Sequence, residues 1–267
     1  MKILVINSGS SSIKFKLYDM RNESVMCKGL IEQIGSDNSF AKISTAHGSI
    51  KEISKPIANH AQGIDIMNEL LFNSGVVNSL DEIDGVGHRV VQGADIFTDA
   101  VLIDESVMQK IEELIPLAPL HNPAAITGIR AAQDVFAGAV QTAVFDTAFH
   151  ATIEEENYIY PVPYEWYTKY GVRKYGMHGT SHRYVSKRVN ELLGRIISEY
   201  LMKQVFGSYL SIYVKYDEIE DTSDEDILSY YYRYYIYMQG FPENIDEIKE
   251  SFFGKSKQLV KGGNTHE

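Results

Sequence analysis

VINSGSSSIKFKLYD, residues 5–19, sets a small polar segment between two hydrophobic runs. Ile3 to Ile6 form a continuous apolar run, which predicts a strand buried on both faces. Beyond the Gly/Ser stretch, Ile13, Phe15 and Leu17 alternate with Lys14, Lys16 and Tyr18, the period of a half-buried strand. The pair reads as a β-hairpin with a small, polar tip. On its own the tip reads first as a turn. It differs from a P-loop, which ends in Lys-Ser or Lys-Thr and opens a helix. If it holds phosphate, the donors are Ser10, Ser11, Ser12 and backbone N–H groups, with Lys14 as the charge. Asn7, at the strand end, would then reach a magnesium ion directly or through water.

Working outward, strands alternate with helices, which predicts an α/β protein. Val25 to Ile31 suggest a third strand. Ile64, Met67, Leu70 and Leu71 recur at helical spacing. GVGHRVVQG (85–93) reads as a strand entering a loop. Asp104 is placed to cap a helix burying Val107, Met108, Ile111, Leu114 and Ile115. Asn122 before Pro123 predicts the N-cap of a further helix with Ile126, Ile129 and Ala132 or Gln133 on one side. AVQTAVFD (139–146) reads as a buried strand ending in a carboxylate. Ser181 is expected to cap a helix carrying Val185, Val189 and Leu192.

The chain has 267 residues, 44% hydrophobic and 23% charged, with a net charge of −11. Such a field repels nucleic acid and anionic membranes, so neither is an expected partner. A single cysteine, Cys27, excludes an internal disulfide and fits a reducing compartment. The Ile3–Ile6 run is too short for a secretory h-region, and a cytoplasmic location is expected.

Three further sites carry candidate chemistry. Arg89 follows a buried stretch and suits bidentate pairing with a carboxylate or phosphate, or a structural ion pair. Asp146 ends a buried strand, where open α/β sheets place their ligands, or else caps the turn that follows. His178 and His182 flank a Gly-Thr-Ser turn in RKYGMHGTSHRYV (173–185). Their spacing invites a zinc reading, but no glutamate sits beside His178 and no third ligand is evident, so no metal is expected there.

Taken in order, VINSGSSSIK, GHRVV, LAPLHNPA, VFDTAFH and YGMHGTSHRYV closely resemble the acetate kinase family, over about the first 190 residues. The resemblance implies a ribonuclease H-like, actin-type ATPase fold of the sugar kinase, heat-shock chaperone and actin superfamily. Its N-terminal domain would be a mixed sheet with flanking helices, followed by an incomplete second domain. It implies phosphoryl transfer between ATP and acetate, giving acetyl phosphate and ADP, with Mg2+. By the same resemblance Asn7 belongs to the metal site, and Ser10, Ser12 and Lys14 bind nucleotide phosphate. Arg89 binds the substrate carboxylate and the transferring phosphoryl group. Asp146 and His178 are catalytic, His121 is a further active-site histidine, and Val91, Leu120 and Met177 line the acyl pocket. The family also implies a homodimer, with an interface largely in the second domain.

Departures from the family are graded. Gln92 and Ala94 stand where the family usually reads His and Gly, and Met177 where it reads Phe. Residues 195–267 carry an acidic run (217–226) and a tyrosine-dense run (229–238) but no second phosphate loop or second substrate arginine. The expected organisation is therefore 1–148 as the first domain, 149–194 as the start of the second, and 195–267 as a tail unlike the family. A strand at 209–216 and a helix at 243–253 are expected in that tail. Little kinase turnover is expected from the chain alone. A non-catalytic interaction protein or a propionate or butyrate kinase are the alternatives.

Overall fold

Val5 is 38% exposed in the middle of the first strand, between buried Leu4 and Ile6. That corrects the expectation of a strand covered on both faces. In the computed structural model, which describes residues 1–48 and 50–193, the chain divides into two units, Met1–Ala148 and Phe149–Glu267. The expected strand and helix of the 195–267 tail lie outside the described residues.

The first unit is built on one eight-stranded sheet. Its strands are β1 (Lys2–Ser8), β2 (Ile13–Asp19), β3 (Ser24–Glu32), β4 (Phe40–Thr45), β5 (Ile50–Ser54), β6 (Gly85–Val90), β7 (Val101–Leu102) and β8 (Val140–Phe145). They lie in the order β5-β4-β3-β2-β1-β6-β8-β7. The first five form an antiparallel meander, and β1, β6 and β8 run parallel to one another. This mixed sheet is the predicted fold class. The β4–β5 hairpin and short β7 were not foreseen; β5 is largely exposed and β7 spans only two residues, which leaves little of the alternation on which strand prediction rests.

Two helices, α1 (His60–Asn73) and α3 (Asn122–Val135), explain the exposure of Val5. Ile64, Met67, Leu70 and Leu71 of α1 and Ala132 of α3 share one core with Leu4, Ile6, Ile13, Phe15 and Leu17. All of these strand residues lie on one face, so the alternate residues Ile3, Val5 and Asn7 lie on the other. Both helices approach closely through glycine. A Cβ on Gly63 would stand 2.7 Å from Ile13 Cδ1, and one on Gly128 would stand 2.3 Å from Ser8 Oγ.

Helix ends follow local chemistry, with one correction. Asn59 caps α1 by accepting from the Gln62 N–H, and Asp104 caps α2 (Glu105–Glu113) by accepting from the Val107 N–H at 2.8 Å. Asn122 does not cap α3. It is the first helical residue, His121 holds the N-cap position without a side-chain cap, and Pro123 still sits in the first turn.

The second unit is described to residue 193. It holds the short helices α4 (Glu155–Tyr158) and α5 (Glu165–Tyr170), then α6 (Gly179–Leu193). Gly171, at φ 65°, ends α5 in the left-handed conformation that glycine adopts without strain. The Arg173 guanidinium stacks 3.6 Å over the Tyr158 ring, whose hydroxyl is bonded to that of Tyr167. Ser181 is a second correction: α6 begins at Gly179, so Ser181 lies inside its first turn rather than at the N-cap. Val185 is buried as expected. Among the described residues no helix is long and apolar enough to cross a membrane.

Candidate active site

The hairpin tip is held by its carbonyls. Ser8 pairs with Ile13 at the last rung of β1 and β2, leaving residues 9–12 as the tip. Gly9 N–H donates to Ser12 O at 2.8 Å, and Ile34 N–H donates to Ser11 O at 2.9 Å. His60, in the first turn of α1, reaches Gly9 O with Nε2 at 2.6 Å. A carbonyl only accepts, so Nε2 carries the proton. With three carbonyls engaged by the protein, Ser10 and Ser11 stand exposed and Ser12 half-buried. Such a tip can present hydroxyl and N–H donors outward to an anion. His60 lay 51 residues from the tip, and its part in holding it was not foreseen.

Sheet register then lines up a polar row on the face opposite the helices. Lys14 pairs directly with Asn7 across the antiparallel strands. Ile6 pairs with His88 across the parallel ones, which brings Asn7 beside Arg89. Arg89 pairs with Val144, and Asp146 stands two residues on, facing the same way. The Asp146 N–H extends the ladder to Val90 O at 3.0 Å. These side chains crowd the carboxyl ends of β1, β6 and β8, where parallel sheets open their ligand sites.

Arg89 joins the row together. Its Nε donates to Asp146 Oδ1 at 3.0 Å and its Nη2 to Oδ2 at 2.6 Å, a bidentate fork. Its Nη1 donates to Asn7 Oδ1 at 3.2 Å. The Asp146 side chain is 2% exposed and that of Arg89 34%. A planar cation is thus fixed from behind by a buried carboxylate while its outer part meets solvent. Such a group can bind a carboxylate or phosphoryl oxygen in a set orientation.

The loop after β6 carries Val91, which is buried. Asn122, fully buried, accepts from Gln92 N–H at 3.2 Å and donates to Gln92 O at 3.1 Å and Ile111 O at 3.4 Å. Thr147 Oγ1 accepts from Gly93 N–H at 3.1 Å, and Gln92 Oε1 from Ala94 N–H at 2.8 Å. Ala94 stands at φ 50°, a left-handed conformation costly for any residue with a Cβ. On the neighbouring segment Leu120 is 73% exposed, and His121 is exposed beside it.

Met177 and His178 belong to the second unit and are half-buried there. His178 stands at φ 54°, and its carbonyl accepts from His182 N–H at 3.1 Å as α6 begins. Burial, and secondarily the nearby His178, push the His182 imidazole down to about 4. Among the described residues no three His, Cys, Asp or Glu side chains gather as a metal site. Asn7 Oδ1 is engaged by Arg89, so a magnesium ion would displace that bond or be held through water.

Comparison with known proteins bears on this corner. Residues 2–206 match the model of the Acetokinase family. An acetate kinase of Campylobacter fetus subsp. fetus is 64% identical over 194 residues, covering 73% of this chain and 49% of that protein. A Porphyromonas gingivalis acetate kinase structure aligns with TM-score 0.69 at 44% identity, over 73% of this chain and 49% of that one. A Francisella tularensis propionate kinase structure aligns with TM-score 0.67 at 39% identity, over the same shares. The chain spans about half the length of the curated relatives it matches.

Proposed function

The chain belongs to the acetokinase family, and from that premise we propose that it carries the acyl-phosphate side of a phosphotransferase working between ATP and acetate. The observation that supports this most is the Arg89 fork, anchored on buried Asp146 and flanked by Asn7 and Lys14. In the reaction a carboxylate oxygen of acetate attacks the γ-phosphorus of ATP. The bond to the β–γ bridging oxygen breaks, and ADP leaves with that oxygen. Acetate is already ionised at neutral pH, so no base has to take a proton from it. Positioning and neutralisation of oxygen charge are what the protein must supply.

Each residue then has a defined task. Arg89 orients the acetate carboxylate and meets the transferring phosphoryl oxygens, and Asp146 holds the guanidinium plane in place. Ser10, Ser12 and Lys14 bind nucleotide phosphate from the hairpin side. His178 stabilises the charge of the transition state, and His121 assists at the substrate. Val91 and Leu120 bound the acyl group; the acyl-wall role of Met177, in the second unit, rests on the family resemblance alone. Asn7 would help hold a magnesium ion, which would supply neutralisation of nucleotide phosphate charge. Residues 1–148 form the first domain of this arrangement and 149–194 begin the second. A cytoplasmic location accords with the family.

A neighbouring reading takes propionate as the acyl substrate, favoured by the likeness to a propionate kinase structure at 39% identity. One methylene discriminates by only about 1–3 kcal/mol, so the two substrates must be compared directly. Residues 195–267 show none of the family's second set of motifs, so binding is the primary readout. Isothermal titration of the full chain with acetyl phosphate, acetate, propionate and butyrate should show binding of acetyl phosphate. That binding should be lost in Arg89→Gln, and the strongest carboxylate identifies the acyl group. A hydroxamate assay with ATP, Mg2+ and the same acids reads turnover. Absence of any acyl phosphate binding by the folded chain would overturn the proposal.

A further inference from the structure

Two segments that the proposed function places around the acyl substrate are tied to each other by one side chain. The first follows β6 and carries Arg89 and Val91. The second enters α3 and carries Leu120 and His121. Asn122 is fully buried and takes both main-chain groups of Gln92, accepting from its N–H and donating to its carbonyl. This is the hydrogen-bond pattern a neighbouring strand would supply, made here by an amide side chain. The same Nδ2 also reaches Ile111 O in α2, so three separate elements converge on one carboxamide. Neither end of the strut can slide without leaving a buried donor or acceptor unpaired.

We propose that Asn122 is a positioning residue that sets the spacing between the Arg89–Val91 segment and the Leu120–His121 segment, and so the fit of the acyl phosphate. The inference rests on the proposed function for its ligand, though not for its geometry. Asn122 is adjacent in sequence to His121, and Gln92 to Val91, so a shift at the strut passes directly to both segments. Thr147 adds a second pin at Gly93 N–H, which steadies the loop beyond the strut. The hairpin tip depends on other bonds, those of Gly9, Ile34 and His60. Loss of the strut should therefore spare nucleotide phosphate binding at the tip.

The test compares wild type with Asn122→Asp in the full chain. Aspartate keeps the acceptor for Gln92 N–H and turns the donor into an oxygen facing two carbonyls. Should that variant fail to fold, Asn122→Ser replaces it. Acetyl phosphate and ADP affinities are measured by titration, folding by urea denaturation, and exchange of the Gln92 amide by NMR. The expected result is an acetyl phosphate affinity lower by about tenfold or more, an ADP affinity changed less than about twofold, and faster exchange at Gln92. Equal loss of both ligands, or unchanged acetyl phosphate affinity in a folded variant, overturns the inference. A wild-type chain that binds no acetyl phosphate instead overturns the proposed function. The Gln92 exchange result then still decides whether the strut exists.

Discussion

Arg89 and Asp146 face each other in two parallel hydrogen bonds, 3.0 and 2.6 Å long, across 57 residues of sequence. The pair is asymmetric, because the carboxylate is buried and a third of the arginine side chain meets solvent. Removing either partner therefore has different consequences. Arg89→Met strands a buried charge and should cost about 3 kcal/mol. Asp146→Asn leaves an arginine that water can still reach and should cost less than half of that. Urea denaturation of both variants checks the order.

Gly128 and Ser8 should behave as a coupled pair. Gly128→Ala forces a methyl against Ser8 Oγ and should cost about 1–3 kcal/mol. Ser8 Oγ is buried and makes no hydrogen bond among the described residues, so Ser8→Ala should be neutral or stabilising. In a double-mutant cycle, Ser8→Gly should recover most of the Gly128→Ala loss. Additive losses would show that the two sites do not meet.

Ala94 tests the loop after β6. Ala94→Gly relieves about 1–2 kcal/mol of left-handed strain. It gives back about 0.5–1 kcal/mol in chain entropy and about 0.8 kcal/mol in lost methyl burial. Stability should stay within about 0.5 kcal/mol of wild type, whereas Ala94→Val should cost at least about 2 kcal/mol. The midpoint of urea unfolding at constant slope reads both.

His88 adds an acid-sensitive term. Burial pushes its imidazole down to about 4, against a smaller upward pull from the bond to Gln141. The unfolded chain binds the proton more readily, so His88 stabilises the fold above about pH 6.5 and that stability fades as pH falls toward 4. Between pH 7 and pH 5 the loss is roughly 2 kcal/mol. His88→Gln should flatten the acid limb of a stability–pH curve over that window.

Much of this was legible in residue patterns, and the rest required three dimensions. The alternation of Ile13, Phe15 and Leu17 marked β2, and Asp104 marked the start of α2, because period and capping are local. Val5 was misread because an apolar run does not reveal how many faces the helices cover. Asn122 was misread because its partners, Gln92 and Ile111, are 30 and 11 residues away. A local rule therefore assigned the side chain to the nearest helix end. Arg89 and Asp146 were each singled out, but only the register of β1, β6 and β8 pairs them. His60 carried no local signal at all.

On the proposed function, the Arg89 guanidinium is the receptor for the acyl phosphate. That role is tested most directly by following the Arg89 Nε–H resonance in 1H–15N spectra of the full chain during titration with acetyl phosphate. A saturable shift of that resonance is expected, abolished in Asp146→Asn, where the fork no longer has its carboxylate anchor. Saturable binding of acetyl phosphate that leaves the Arg89 resonance in place would contradict it.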